Sequence, residues 1–162
     1  MLLRGLPHLM FFHLYLLSLL VQLSCLPSTN WFMKNRKVKT VLFVCVENAC
    51  RSQLAEAISN HFFSKQLKAF SAGSNPGKEV NPKSTSSLEN IGIIHRGKTK
   101  SIDDVGGIKY DYIVKMGCGD ECPIIPGSKT LEWNIPDPKT FELERFNKIR
   151  DMIKEKIISD LI

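Results

Sequence analysis

Residues 38–52 of the chain read VKTVLFVCVENACRS. The first part, Val38 to Val44, is short, apolar and rich in β-branched and aromatic side chains, which is typical of a strand buried on both faces of a parallel sheet. A small polar loop follows Cys45, and from Arg51 to about Lys68 apolar residues recur at helical spacing. The stretch therefore predicts a strand, a short loop and a helix, in that order.

The same alternation continues along the chain. Further strands are predicted at Lys68 to Ala72, Tyr110 to Met116 and Lys129 to Trp133, and further helices at Pro82 to about Ile91 and Thr140 to Ile162. Strands that alternate with helices form a parallel sheet covered by helices. The expected fold class is α/β, a three-layer sandwich with a four-stranded parallel sheet, and Trp133 is expected to pack at the end of its strand.

The beginning of the chain differs from the remainder. Leu6 to Leu26 is almost uninterrupted apolar and follows Arg4, which resembles a signal peptide or a membrane anchor. Histidine and glutamine interrupt the run, however, and Met33 with the basic segment after it is how a cytosolic protein would begin. We therefore expect a hydrophobic leader over residues 1–32 (a mis-assigned start, a signal or an anchor) and one domain over residues 33–162. The domain is expected to be cytoplasmic, with membrane association only if the leader is retained.

Charge and cysteine content narrow the function. The formal net charge is +6, which suits an anionic substrate. The basic residues are scattered and no nucleic-acid-binding signature accompanies them, so no nucleic-acid partner is expected. Of five cysteines, four fall in two close pairs, Cys45/Cys50 and Cys118/Cys122. This pattern is more typical of metal or redox chemistry than of a secreted disulfide framework.

The loop after the first strand has the composition of an oxyanion site. In an open α/β sheet, ligands bind beyond the carboxyl ends of the strands. Cys45 and Arg51 flank a short loop that opens a helix, which predicts a bowl of backbone N–H groups closed on one side by the guanidinium group. The positive field of such a bowl favours Cys45 as a thiolate nucleophile.

The loop residues are expected to surround the bound anion. The predicted substrate-binding residues are Val46, Glu47, Asn48, Ala49, Cys50, Arg51 and Ser52. Ser52 is expected to hydrogen-bond the thiolate, and Asn48 to hold the loop in shape. Glu47 is expected to point outward, because a carboxylate beside an anion site repels the anion. Cys50 is interpreted as a small packed residue, and His95, in a polar turn, as a surface residue rather than a catalytic one.

Several motifs follow one another along the chain. They are VLFVCVENACRSQLAEA (residues 41–57), Ser71-Ala72-Gly73, Asn81-Pro82, MGCGDECP (residues 116–123) and WNIPDP (residues 133–138). In sequence and in order they resemble motifs of the low-molecular-weight tyrosine phosphatases and of the arsenate reductases that share their fold. The resemblance covers the chain from about Val38 to the C-terminus. It implies a low-molecular-weight tyrosine phosphatase-like, flavodoxin-like sandwich.

Two features favour the arsenate reductase branch of that superfamily. Gln53 follows the Arg51-Ser52 pair where the phosphatases generally have proline, and Asp137-Pro138 lacks the aromatic pair that flanks a phosphotyrosine ring. The phosphatases also have no counterpart of the Cys118/Cys122 pair. The resemblance therefore implies the reduction of arsenate to arsenite.

The resemblance also implies a role for each reacting residue. Cys45 attacks arsenic, Arg51 holds the oxyanion, and Asp137 donates a proton to the departing oxygen. Cys118 or Cys122 then resolves the adduct through a thiol relay. The implied partners are arsenate or a phosphate-like oxyanion and, as reductant, thioredoxin or a low-molecular-weight thiol, with neither metal nor cofactor.

Three alternatives remain open from the sequence. A phosphatase would use the same Cys45, Arg51 and Asp137 but would let water resolve the intermediate, so it would not need Cys118. A zinc-binding protein would use all four paired cysteines as thiolate ligands, although their spacing is loose for such a site. A regulator that binds arsenic through its thiols is disfavoured because no DNA-reading element is present.

Overall fold

A computed structural model of the protein describes residues 37–117 and 129–162. Cys118 and Cys122 and the leader lie outside the described residues. The elements in these ranges are β1 (Lys39–Cys45), α1 (Arg51–Phe62), β2 (Leu67–Gly73), α2 (Pro82–Glu89), a short 3₁₀ helix (Asp103–Val105), β3 (Tyr112–Lys115), β4 (Lys129–Glu132) and α3 (Leu143–Leu161). No helix in these two ranges is long and apolar enough to cross a membrane.

Helix α1 ends earlier than its apolar pattern predicts. The Gln66 backbone N–H donates to the Phe63 carbonyl (2.8 Å), which closes a turn after the helix. Leu67 then begins β2, which pairs in parallel with β1 over its whole length. The prediction of a helix to about Lys68 is therefore wrong at its end, because strand pairing outweighs the helical pattern there. Phe62, the last residue of the helix, remains 41% exposed.

The strands form one parallel sheet in the order β2-β1-β3-β4. Side chains of β1 alternate between its faces: Val41, Phe43 and Cys45 belong to the larger apolar cluster, and Leu42 and Val44 to the smaller one. Because both faces are covered, the strand is apolar at every core position, as the sequence indicated. The prediction of a four-stranded parallel α/β sheet is confirmed.

The two faces of the sheet are covered by layers of different thickness. All three α-helices contribute to the larger cluster, through side chains such as Leu54 of α1, Leu88 of α2 and Ile153 of α3. On the other face, Val105 of the 3₁₀ helix and Tyr110 cover the smaller cluster, and the Tyr110 hydroxyl donates to the Val105 carbonyl (2.9 Å). The sandwich therefore has a thick helical layer, the sheet, and a thinner third layer.

Trp133 fixes the end of β4 against the helical layer. Its side chain is 2% exposed and its ring lies 5.7 Å from that of Phe43, between centroids. The indole N–H donates to Asp160 Oδ2 of α3 (2.8 Å). The prediction that Trp133 packs at a strand end is confirmed. This packing fixes the start of the chain segment that leads to Asp137.

A side chain is bonded to the outer edge of β2. Asn60 Nδ2 of α1 donates to the Ala69 carbonyl, and the Ala69 N–H donates to Asn60 Oδ1, both at 2.9 Å. One amide group thus makes the two bonds that a neighbouring strand would make to this residue. The same bonds hold α1 against β2 and so help to fix the helix that opens at the oxyanion loop.

Candidate active site

The loop that joins β1 to α1 is held from outside by the segment after β2. Backbone N–H groups donate to loop carbonyls as follows: Ser74 to Cys45 (3.1 Å), Asn75 to Val46 (2.9 Å), Gly77 to Glu47 (2.8 Å) and Asn81 to Ala49 (3.0 Å). In a planar trans peptide the N–H points opposite to the carbonyl. Because these carbonyls are bonded on the outer side, the N–H groups of the same peptides face the inside of the loop. There they join the open N-terminal turn of α1 as anion donors.

Asn48 gives the loop its shape. It is fully buried and has a φ of 51°, the left-handed region that asparagine tolerates better than most residues. Its side-chain Oδ1 accepts from Gln53 Nε2 (3.0 Å) and from the Lys100 backbone N–H (2.8 Å). Its Nδ2 donates to Ser52 Oγ (2.8 Å). The expected role of Asn48 in holding the loop thus corresponds to three hydrogen bonds.

These bonds belong to a longer chain that ends at the nucleophile. Gln53 Nε2 donates to Asn48, so Gln53 Oε1 is the acceptor for His95 Nε2 (2.7 Å). Ser52 Oγ already accepts from Asn48, which leaves its own hydrogen for Cys45 Sγ at 3.0 Å. The direction of each bond follows from the one before it. The chain therefore aims a hydroxyl donor at the sulfur, which stabilises a thiolate.

His95 is less exposed than its polar turn predicts. It was expected on the surface, and the structure places it partly buried against Gln53, which is itself fully buried. Burial lowers the pKa of His95, and the opposing charges of Glu56 and Lys100 nearby form their own ion pair at 2.9 Å. The ring is therefore neutral at neutral pH and donates from Nε2. The two residues lie far apart in sequence, so no local pattern could have indicated their contact.

Arg51 connects the loop to the segment after β4. Its side chain is buried, and Nη1 donates to the Ile135 carbonyl (3.1 Å) while Nη2 pairs with Asp137 Oδ2 (3.2 Å). Gly117 lies beside it with a φ of 78°, and a Cβ added there would be 2.6 Å from Arg51 Nη1. Glycine at this position therefore leaves room for the guanidinium group. This side chain therefore joins the oxyanion loop to the segment after β4.

A cavity of about 140 Å³ lies between these groups. It is lined by Cys45, Val46, Glu47, Ala49, Cys50, Arg51 and Asp137. The structure thus brings together the predicted nucleophile, anion-binding arginine and acid, with most of the loop residues. Asn48 and Ser52 do not line the cavity and act from behind the loop. The two remaining predicted site residues, Cys118 and Cys122, lie outside the described residues.

The two thiols that line the cavity differ in their surroundings. Burial, followed by the charge of Asp137, raises the pKa of the Cys50 thiol to about 11. Cys50 is therefore a protonated thiol at neutral pH and a poor nucleophile. Cys45, by contrast, accepts a hydrogen bond from the Ser52 hydroxyl (3.0 Å) and lines the cavity together with Arg51. Of the two thiols, Cys45 is the one in the environment of a nucleophile.

Glu47 borders the cavity, and its side chain is 39% exposed. Its Oε1 accepts from Lys139 Nζ at 2.5 Å, and this hydrogen bond raises the pKa of Lys139. The ammonium group offsets the carboxylate charge that would otherwise repel an anion. Lys139 was not among the predicted site residues, because its partner lies on the other side of the site and 92 positions away in the sequence.

Gly73 offers a test of how tightly the loop is held. A Cβ at this position would be 2.5 Å from the Val46 carbonyl oxygen and 2.9 Å from the Asn48 nitrogen, both backbone atoms. Gly73→Ala is therefore expected to lower the free energy of unfolding by about 1–3 kcal/mol, as overpacking does, and to weaken phosphate binding. Urea unfolding measures the first effect and calorimetric titration with inorganic phosphate the second.

Gly77→Ala is the matched control. Its added Cβ would be 3.6 Å from the Glu47 carbonyl oxygen, an ordinary van der Waals distance. It is expected to leave both quantities close to those of the wild type. If the Gly73 and Gly77 variants behave alike, the close approach of β2 to the loop does not constrain the site.

Comparisons with known proteins agree with this geometry. The family profile described as low molecular weight phosphotyrosine protein phosphatase matches residues 40–161. The chain belongs to this family. The chain is also similar to proteins named for a different activity. An arsenate reductase of Staphylococcus xylosus is 32% identical over 120 residues, which cover 72% of this chain and 91% of that protein.

Solved structures of arsenate reductases are also similar to this member of the low-molecular-weight phosphatase family. An arsenate reductase in a phosphate-binding state is 28% identical, with a TM-score of 0.66, over 75% of this chain and 95% of that one. A thioredoxin-dependent arsenate reductase of Corynebacterium glutamicum is 34% identical, with a TM-score of 0.61, over 75% of this chain and 61% of that one. The predicted family and fold are confirmed.

Proposed function

We propose that this protein reduces arsenate to arsenite, with Cys45 as its nucleophile. The observation that carries the proposal is the small cavity in which Cys45, Arg51 and Asp137 meet beneath an amide bowl. Its support from the comparisons is the similarity to proteins named arsenate reductase over almost their whole length. A tetrahedral oxyanion is the ligand that this arrangement of donors suits.

Binding comes first. The oxyanion accepts hydrogen bonds from the inward N–H groups of the loop and from the Arg51 guanidinium. In the structure Arg51 Nη2 pairs with Asp137 Oδ2 at 3.2 Å. An anion that takes over this donor releases the Asp137 side chain next to the anion's outer oxygen. The arginine thus exchanges one carboxylate partner for the substrate, and the acid is left where a proton is needed.

The chemical step follows. The Cys45 thiolate forms a bond to arsenic, and an arsenic–oxygen bond breaks as Asp137 gives its proton to the departing oxygen, which leaves as water. The Ser52 hydroxyl, 3.0 Å from the sulfur, holds the thiolate before the attack. The loop N–H groups hold the remaining oxygens while charge redistributes among them.

A second thiol completes the reduction. Cys118 or Cys122 attacks the sulfur of Cys45, the electron pair of the sulfur–arsenic bond stays with arsenic, and arsenite leaves as a disulfide forms. Thioredoxin or a low-molecular-weight thiol then reduces that disulfide. The similarity to a thioredoxin-dependent arsenate reductase supports thioredoxin as the donor. Because the relay requires free thiols, we place the protein in the cytoplasm.

A phosphatase is the second candidate, favoured by the family profile itself. It would use Cys45, Arg51 and Asp137 in the same way until the covalent intermediate has formed. Water would then attack phosphorus, and the second thiol pair would have no part in turnover.

One assay separates the two functions. The purified chain is supplied with arsenate, thioredoxin, thioredoxin reductase and NADPH, and arsenite is measured for the wild type and for Cys118→Ser. We expect arsenite from the wild type and at most a hundredth of that rate from the variant, because the thiol relay then lacks one of its cysteines. Hydrolysis of an aryl phosphate is measured alongside. Hydrolysis that is indifferent to Cys118, without arsenite, would assign the protein to the phosphatases.

A further inference from the structure

A second cavity lies beside the oxyanion cavity. Its volume is about 320 Å³, and it is lined by Glu47, Ala49, Gly77, Lys78, Glu79, Asn81, Pro82 and Lys139. Glu47 and Ala49 line both cavities, so these two residues form their common wall. The second cavity is more than large enough for the organic group of a phosphate ester whose phosphate occupies the first.

An ion pair extends from this wall: Glu47 lines both cavities, and its partner Lys139 lines the second. Lys139 Nζ donates to Glu47 Oε1, and the Lys139 backbone N–H donates to Asp137 Oδ1 (3.1 Å). Lys139 thus connects the oxyanion loop, through Glu47, with the segment that carries the predicted acid. The two side chains are 56% and 39% exposed, so the pair lies at the mouth of the site rather than in the core.

The ion pair lies where a substituent on the departing oxygen would extend. In the proposed reaction this oxygen faces Asp137, and in a phosphate ester it bears the organic group. Because Lys139 is bonded to Asp137 and to Glu47, an organic group that leaves the bowl towards the larger cavity meets the ion pair. A free oxyanion carries only a hydrogen or a lone pair there and does not reach it.

We propose that the Glu47–Lys139 ion pair determines substrate specificity, because it lies where the two cavities adjoin and so favours free tetrahedral oxyanions over organic phosphate esters. This inference rests on the proposed function, since it names the substrate class of the same site. The pair has no net charge, so it does not attract the anion. It distinguishes esters from free oxyanions because it obstructs the organic group. An ester must break or displace it, whereas arsenate and phosphate leave it intact.

The test compares two ligands that need no turnover, inorganic phosphate and phenylphosphonate. Their dissociation constants are measured by calorimetric titration for the wild type and for the double variant Glu47→Gln/Lys139→Met. This variant conserves net charge and nearly conserves side-chain volume while it removes the ion pair. The affinity for phenylphosphonate relative to phosphate is expected to rise about three- to fivefold, the size that a solvent-exposed ion pair allows.

Glu144→Gln/Lys148→Met is the matched control. It removes an ion pair of the same chemistry, with a distance of 3.4 Å, on the exposed face of α3, and neither residue lines a cavity of the site. The control is expected to keep the wild-type ratio, and thermal unfolding verifies that both double variants are folded.

The outcomes separate this inference from the function on which it rests. Phosphate binding with an unchanged ratio in the Glu47/Lys139 variant would overturn the specificity role alone. A wild-type protein that binds no phosphate would overturn the oxyanion site, and the specificity role with it.

Discussion

Replacing Cys45 by serine is expected to lower arsenite formation by about 10⁴-fold or more, the scale on which enzymes lose activity without their nucleophile. A serine hydroxyl does not ionise near neutral pH and does not form the disulfide that ends the proposed relay. The side chain is nearly the same size and keeps a hydrogen-bonding partner in Ser52, 3.0 Å from the native sulfur. Inorganic phosphate is therefore expected to bind the variant within about threefold of the wild-type affinity, because the amide bowl and Arg51 remain.

Cys50→Ser is the control for this experiment. Cys50 lines the same cavity, but its thiol is protonated at neutral pH because burial raises its pKa to about 11. This variant is expected to keep at least a tenth of the wild-type rate of arsenite formation. Equal losses in the two variants would show that the nucleophile is not specifically Cys45, and retained activity in Cys45→Ser would contradict the proposed mechanism.

Replacing Asp137 by asparagine is expected to lower kcat for arsenite formation by about 100-fold, the usual contribution of a general acid. The amide has no proton to give to the departing oxygen. It also carries no charge, so Arg51, which pairs with Asp137 Oδ2 at 3.2 Å, has no carboxylate to exchange for the substrate. Phosphate binding is therefore expected to tighten while kcat falls. Steady-state kinetics and calorimetric titration measure the two quantities.

A lower kcat together with tighter phosphate binding would distinguish a catalytic role of Asp137 from a structural one. If Asp137 were only a turn residue before Pro138, its replacement would weaken binding and rate together. Asp111→Asn is the matched control, because Asp111 accepts from the Thr40 N–H (2.8 Å) and lines neither cavity of the site. This variant is expected to keep the wild-type kcat.

The central part of the fold is predictable because its signals are local. The apolar run of β1, the polar loop and the helical spacing after Arg51 are contiguous, and the carboxyl end of a parallel strand is a general place for a ligand. Cys45, Arg51 and the loop between them therefore follow from a single stretch of sequence. The predicted end of α1 was wrong because Phe62 and Phe63 continue the helical pattern of apolar residues. In the structure the chain turns after Phe62, so that Leu67 can pair with β1.

The groups that support Cys45, Arg51 and Asp137 were not predictable, because their positions depend on contacts between distant segments. His95 is in a polar turn, and only the fold brings it to Gln53 and so into the hydrogen bonds that end at Cys45. Glu47 was expected to turn outward because its charge would repel an anion, and its contact with Lys139, 92 positions away, depends on the fold. Charge repulsion was the right consideration, but the compensating ammonium group was not visible in the sequence.

The amide group of Asn60 has a consequence for the protein in a concentrated solution. β2 is at one end of the strand order, where an exposed strand can recruit a strand from another molecule and template the growth of an intermolecular sheet. Both backbone polar groups of Ala69, in the middle of β2, are already bonded to Asn60. A strand of another molecule that paired with this edge would first have to displace the Asn60 side chain from Ala69. Asn60 therefore protects the molecule against self-association at this edge while it serves the fold.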